Sequence, residues 1–339
     1  MRRRSIREED LADLHGKVVL VTGGNTGIGY ATIQMIARRG AKVYMGARNG
    51  ARAAEAIERL KMENIGDGSV HWLELDLSDP RLASRAGMEL IQQEERLDIL
   101  INNAGLQSNK TPFKLTTDGL LDIMVVNYIS HFVLTETLLP LMKRTAAEDG
   151  SDVRIVNVRA SRLVPPPAKG NATQVTSYAH AEVAPETFST KDAVNKDFGA
   201  TVMGKFRTYG NTKLANILHI KELQTRLDAE GVRITCLASH PGVITTAGTE
   251  GAMGAVPLLG WFLTGVVARL FFKSWRVGAM PVAFAAAGPE VVGTQHAKYK
   301  GAYLTPMDVI ATPSESARDS RLQKELHDTT ARIVQELGL

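Results

Sequence analysis

A tyrosine and a lysine stand four residues apart in Tyr209-Gly210-Asn211-Thr212-Lys213. On a helix that spacing places both side chains on one face. A nearby ammonium stabilises phenolate, so the tyrosine becomes a proton donor and acceptor usable near neutral pH. The spacing alone also suits an ordinary helix surface. Its place just ahead of an apolar run, 232–239, sharpens the chemical reading.

A second constellation handles phosphate. The run Thr22-Gly23-Gly24-Asn25-Thr26-Gly27-Ile28-Gly29 follows a predicted strand and leads into a helical pattern. Glycines let the backbone turn tightly and approach a pyrophosphate, and the free N–H groups of the helix face the anion. A lone glycine-rich turn is weak. Its position in the first strand–helix–strand unit points to a dinucleotide, with Gly23, Asn25, Thr26, Gly27, Ile28 and Gly29 as the contacts. Arg48, at the end of the second predicted strand, offers a forked cation where an acidic residue would repel a ribose phosphate, favouring NADP(H), unless it simply points into solvent. Asp76 and Leu77 end the third strand, where a carboxylate reaches an adenine amino group or caps the next helix.

These groups need a frame, and the chain is long enough to supply one: 339 residues, 44% hydrophobic. Strands are predicted at Lys17–Thr22, Ala41–Gly46, Val70–Leu75, Leu97–Asn102, Val153–Val158, Val232–Ser239 and Ala302–Leu304. Helices are predicted at Gly27–Arg39, Asn49–Glu63, Pro80–Glu94, Asp118–Lys143, Tyr209–Glu230 and Val277–Ala287. The alternation predicts an α/β fold, a doubly wound parallel sheet of seven strands with helices on both faces. We read one domain, 1–339: a core over 14–304, an insertion over 162–205, an apolar segment over 247–276 and an amphipathic tail over 314–339. The insertion carries Pro165 to Pro167 and reads as a surface excursion.

Composition narrows the function classes. Forty basic against 36 acidic residues give a formal charge of +4, too mild for a nucleic-acid footprint. Arg2 to Arg4 read as a frayed terminus. The single Cys236 sits in an apolar run as a small core residue and fits a reducing, cytoplasmic compartment. No cysteine–histidine spacing suits a metal.

Taken together, the cradle Thr22 to Gly29, Asp76-Leu77, Asn102-Asn103-Ala104-Gly105, Asn127, Tyr209 with Lys213, and Pro241-Gly242 followed by Thr246 resemble the short-chain dehydrogenase/reductase family. The resemblance spans about Leu14 to Leu304, and Ala41 to Arg48 with Tyr209 to Ile217 are most similar to its retinol-dehydrogenase-like branch and fungal relatives. It implies that Tyr209 exchanges the proton at the substrate oxygen, that Lys213 holds the nicotinamide ribose, and that Asn127 braces a water in a proton relay. It further implies that Asn103, Ala104 and Gly105 pack against the adenosine side of the cofactor. Pro241, Gly242, Val243 and Thr246 would shape the nicotinamide pocket. The expected activity is NADPH-dependent interconversion of a carbonyl and an alcohol on a small lipophilic substrate. NAD-linked alcohol oxidation, or a regulator that binds nucleotide without turnover, are the competing readings.

One position departs from the family pattern. Its usual serine after the fifth strand falls on Ala160, with Ser161 one place late. Either a bulge lets Ser161 serve, another hydroxyl substitutes, or the donor is lost; we prefer Ser161. The apolar run Val256 to Leu263, with Trp261, Phe262, Phe271, Phe272 and Trp275, reads as a substrate cover that also suits contact with a membrane surface. The resemblance points to a homodimer through Asp118–Lys143 and Tyr209–Glu230, whereas the long insertion suits a monomer. Losing a serine-type donor slows such an enzyme by about 2–4 kcal/mol of barrier. Ser161→Ala is therefore expected to lower kcat accordingly, and unchanged steady-state turnover would remove the bulge reading.

Overall fold

The computed structural model describes residues 6–106, 113–158, 183–242, 275–293, 295–305 and 309–339. Its strands are β1 (Val18–Thr22), β2 (Lys42–Ala47), β3 (Ser69–Glu74), β4 (Ile99–Asn102), β5 (Val153–Val158), β6 (Ile234–Ser239), β7 (Ala302–Thr305) and β8 (Val309–Ala311). The longer helices are α1 (Gly27–Ala37), α2 (Gly50–Met62), α3 (Pro80–Gln93), α4 (Asp122–Ala147), α5 (Val202–Ala229), α6 (Trp275–Ala287) and α7 (Ser320–Glu336). Every residue of β1, β4, β5 and β6 is buried, the signature of strands covered on both faces.

The strands lie in the order β3-β2-β1-β4-β5-β6-β7-β8, parallel up to β7. Chain order reverses between β1 and β4, which pair Leu20 with Leu100. A doubly wound sheet opens a crevice at the carboxyl ends of the strands at that switch point. Helices α3, α4 and α5 cover one face, and α1, α2 and α6 the other. Asn49 caps α2 by accepting the Arg52 N–H at 2.9 Å, and Asp79 caps α3 through Arg81 N at 2.9 Å.

Two buried charges stitch the layers. Asp98 accepts Val18 N at 2.9 Å and the Nε and Nη2 of Arg96, fixing where β1 and β4 begin. Arg154, fully buried, forks onto Asp152 and donates to the Ala285 and Gly288 carbonyls, closing the end of α6. Cys236 is a buried core residue, as expected, and burial pushes its thiol pKa up.

The structure departs from the sequence expectations at several points. An eighth strand, β8, pairs antiparallel with β7. Helix α5 starts seven residues before Tyr209, because Thr201 accepts Gly204 N at 3.0 Å as its N-cap. Helix α4 starts at Asp122 rather than Asp118, whose carboxylate instead receives the fork of Arg81. Residues 183–205 are more than a surface excursion: Val183, Phe188 and Val194 are buried in the core. Tail helix α7 lies along α5, with Arg226 bonded to Asp328 and Tyr128 Oη 2.9 Å from Thr330 Oγ1. Among the described residues α4 alone is long and apolar enough to cross a membrane, and 78% of its most apolar stretch is buried inside the protein.

His219 of α5 lies under α7, 5.1 Å from the Phe132 ring, with neither ring nitrogen hydrogen-bonded among the described residues. Burial, then the neighbouring His327 and His131, push its pKa down to about 3. A pKa lower in the folded than in the unfolded chain means that stability is complete above the ordinary 6.5 and is lost as pH falls below it. Each such histidine contributes a slope of about 1.4 kcal/mol per pH unit in that window. Urea unfolding is expected to show His219→Leu unharmed at pH 7 and less weakened than the parent at pH 5.

Candidate active site

At the switch point the end of β1 is joined to the end of β4 by one hydroxyl. Thr22 Oγ1 accepts the Asn103 and Ala104 N–H groups, each at 2.9 Å, and lies 2.9 Å from His131 Nε2. Asn103 Nδ2 returns the contact, donating to the Thr22 carbonyl at 2.8 Å. Gly23 turns the chain at φ +66°, and a side chain there would begin 3.0 Å from Ala104. Helix α1 opens just beyond, and the Thr26 side chain makes no capping bond to it. Its first amides therefore remain oriented for an anion. Thr26 is exposed, Asn25 and Gly27 are half-buried, and a side chain at Gly27 would meet open space. Ile28 and Gly29 are buried behind them. This cradle fits a pyrophosphate.

Beside it, Arg48 leaves β2 exposed, and its guanidinium has no hydrogen-bond or ion-pair partner among the described residues. Helix α2 begins two residues later, so its positive end falls near the same place. Trp72 closes the floor here, donating to the Ala47 carbonyl at 2.8 Å and packing on Gly50. Asp76 caps no helix: Asp79 does, while Asp76 accepts Ser78 N at 2.9 Å in a local turn. Leu77 is buried and its carbonyl receives the Ser130 hydroxyl.

Tyr209 and Lys213 meet on one face of α5, both buried, with Nζ 5.2 Å from the phenol ring centroid. A side chain at Gly105 would begin 3.6 Å from that Nζ and 3.5 Å from Asn127 Oδ1, so the Asn103–Gly105 turn, Lys213 and Asn127 converge. Asn127 sits in a π-helical turn of α4, Val125–Ile129, closed by Ser130 N on the Val125 carbonyl. Its amide accepts Leu106 N at 2.6 Å and donates to the Leu106 carbonyl and to Thr212 Oγ1, both at 3.1 Å. Its own carbonyl accepts Asn216 Nδ2 at 3.0 Å. Asn127 thus braces α5 and the turn after β4 against each other. Phe206 and Val202 precede Tyr209 by three and seven residues on α5; Phe206 packs partly buried against the core, and Val202 is exposed.

Pro241 and Gly242 follow β6, and Gly242 N donates to His240 Nδ1 at 2.8 Å, so this histidine, given no role from the sequence, fixes the turn. Val243, Thr246, Ser161 with its neighbour Ala160, and the apolar segment up to 274 lie outside the described residues. Sequence reasoning also passed over the Thr22 hydroxyl, His131, Thr212 and Asn216. The two threonines and Asn216 had one usable signal, since each lies next to or within a quoted motif.

A short-chain dehydrogenase/reductase of the fungus Armillaria gallica is 40% identical over 97% of this chain and 96% of its own length. The chain belongs to the short-chain dehydrogenase/reductase family. Residues 17–172 match the family described as short chain dehydrogenase. Mouse retinol dehydrogenase 14 is 37% identical over 83% of this chain and 76% of its own, consistent with the retinol-dehydrogenase-like branch. A crystal structure of an uncharacterized protein from Mycobacterium paratuberculosis shares the fold, with a TM-score of 0.69 at 24% identity over 98% of each chain. The protein is therefore an oxidoreductase of alcohol and carbonyl groups in a family that uses a nicotinamide cofactor.

A methyl group on Gly29 of this dehydrogenase/reductase would lie 2.4 Å from the Gly23 carbonyl oxygen and 2.6 Å from Asn103 Nδ2. Overpacking of this kind costs about 1–3 kcal/mol. Gly29→Ala is expected to lower the melting temperature and weaken cofactor binding about tenfold or more in a fluorescence titration.

Proposed function

We propose that this protein is an NADPH-dependent carbonyl reductase or alcohol dehydrogenase acting on a small lipophilic ketone, aldehyde or alcohol. The observation that carries the reading is the buried Tyr209–Lys213 pair facing the Asn103–Gly105 turn at the crevice. The cofactor, when bound, supplies or receives the hydride. The cradle of Gly23, Asn25, Thr26, Gly27, Ile28 and Gly29 would hold its pyrophosphate, with Asn103 to Gly105 on the adenosine side.

The chain's own residues handle the proton. Tyr209 gives its phenolic proton to the substrate oxygen in reduction and takes it back in oxidation. The Lys213 ammonium, 5.2 Å from the ring centroid, stabilises the phenolate between those events. Asn127, through Leu106 and Thr212, keeps the helix and the turn from drifting apart. Burial of both reacting groups keeps bulk water from competing for the proton. The apolar run Val256 to Leu263 of the sequence favours an apolar substrate body.

Arg48 carries the cofactor preference, as an exposed guanidinium suited to a ribose phosphate. Hydrogen bonds to charged groups contribute about 1.5–3 kcal/mol, or roughly 10- to 100-fold in affinity. NADPH is expected to bind more tightly than NADH, and Arg48→Ala to remove most of that difference while leaving NADH affinity in place. In parallel, Tyr209→Phe is expected to bind NADPH normally and to abolish turnover across a panel of aliphatic and aromatic aldehydes and ketones. Turnover at the parent rate in that variant would overturn the reading.

A further inference from the structure

Two of the buried histidines, His131 of α4 and His219 of α5, have no place in the site's proton chemistry, and they differ in kind. His219 has no hydrogen bond among the described residues, whereas both sides of the His131 ring are engaged. His131 lies in α4 one turn after Asn127, and its ring bonds the Asn127 main chain on one side and Thr22 Oγ1, at 2.9 Å, on the other.

The bonding at Thr22 fixes the direction of every hydrogen. A hydroxyl has one hydrogen and two lone pairs. Both lone pairs of Thr22 Oγ1 are taken by the Asn103 and Ala104 N–H groups, so its hydrogen goes to Nε2 of His131. Nε2 is then the acceptor, Nδ1 carries the proton, and Nδ1–H is the donor to the Asn127 carbonyl. That carbonyl already receives Asn216 Nδ2 from α5, so the ring completes a chain from the strand below the cradle to the catalytic helix.

We propose that neutral His131, as its Nδ1–H tautomer, is a positioning residue for the redox reaction, tying Thr22 and the Asn103–Ala104 turn to the π-helical turn that presents Asn127 beside Lys213. The imidazole never touches substrate or cofactor. It sets the distance between two parts that do, and its burial against a rigid sheet suits that task. Burial, with the Lys213 charge nearby, depresses its pKa to about 3, which keeps the ring uncharged and Nε2 free to accept.

The inference rests on the redox reading, so the parent protein is first tested for NADPH binding by fluorescence and for reduction of decanal. Failure of both would overturn that reading and this inference with it. Nitrogen NMR of the 15N-histidine-labelled parent is expected to show His131 neutral with Nε2 unprotonated, and an Nε2–H tautomer would overturn the inference alone. Misplacement of a catalytic group by about 1 Å costs about 10²-fold, so His131→Leu is expected to lose that much kcat while the KM for decanal moves less than about threefold. His131→Gln, whose amide can both accept and donate, is expected to recover about tenfold of the loss. Thr22→Val should reproduce the defect, and the double variant should be no worse than the poorer single one. Parent kcat in a folded His131→Leu, or losses that multiply in the double variant, would overturn the proposal. Should His131→Leu not fold, equal kcat in Thr22→Val and Thr22→Ser would do the same.

Discussion

A threonine hydroxyl can make three hydrogen bonds, and Thr22 makes all three where the strand order reverses: two to the turn after β4 and one to His131 of α4. Strand β1 runs into the glycine turn, and β4 runs into Asn103 and Ala104. The β1–β4 ladder ends at Val21 and Ile101, one residue short of Thr22 and Asn102. The hydroxyl and the return bond from Asn103 take over from that ladder. Cradle and turn are thereby held to one another, and Asn127 and Lys213 lie close to Gly105 at the end of that turn.

The same economy governs the buried charges. Asp98 and Arg154 are fully buried, and each meets several partners: Asp98 binds Arg96, Lys17 and Val18 N, while Arg154 binds Asp152 and two helix-end carbonyls. An unpaired charge in either place would cost several kcal/mol, so these contacts specify where the strands start as much as they stabilise them. His219 runs the other way. Its ring nitrogens lack partners among the described residues, and the protein tolerates this because a neutral imidazole packed on Phe132 and Tyr128 behaves as an aromatic side chain.

Much of this was legible in the sequence where the determinant is local. The strand cores are continuous apolar runs, the cradle is a glycine pattern, and Tyr209 and Lys213 are one helical turn apart. What escaped was set at long range or by competition between neighbours. Asn127 finds Leu106, Thr212 and Asn216 at separations of 21, 85 and 89 residues, which no window of sequence reveals. Asp76 and Asp79 both qualify as caps, and Pro80 in the first turn decides for Asp79. The π-helical turn leaves the apolar pattern of α4 almost unchanged, so nothing in the residue types marks it. The start of α5 was hidden because a threonine cap resembles the Ser- and Thr-rich insertion before it.

Strand β8 carries a consequence for the molecule's behaviour in crowded solution. A parallel sheet ending at β7 would offer a row of unpaired amides and carbonyls to any passing chain. The reversed three-residue strand covers that row, and being so short it presents little template of its own. Resistance to self-templated aggregation along this border therefore depends on the three residues of β8.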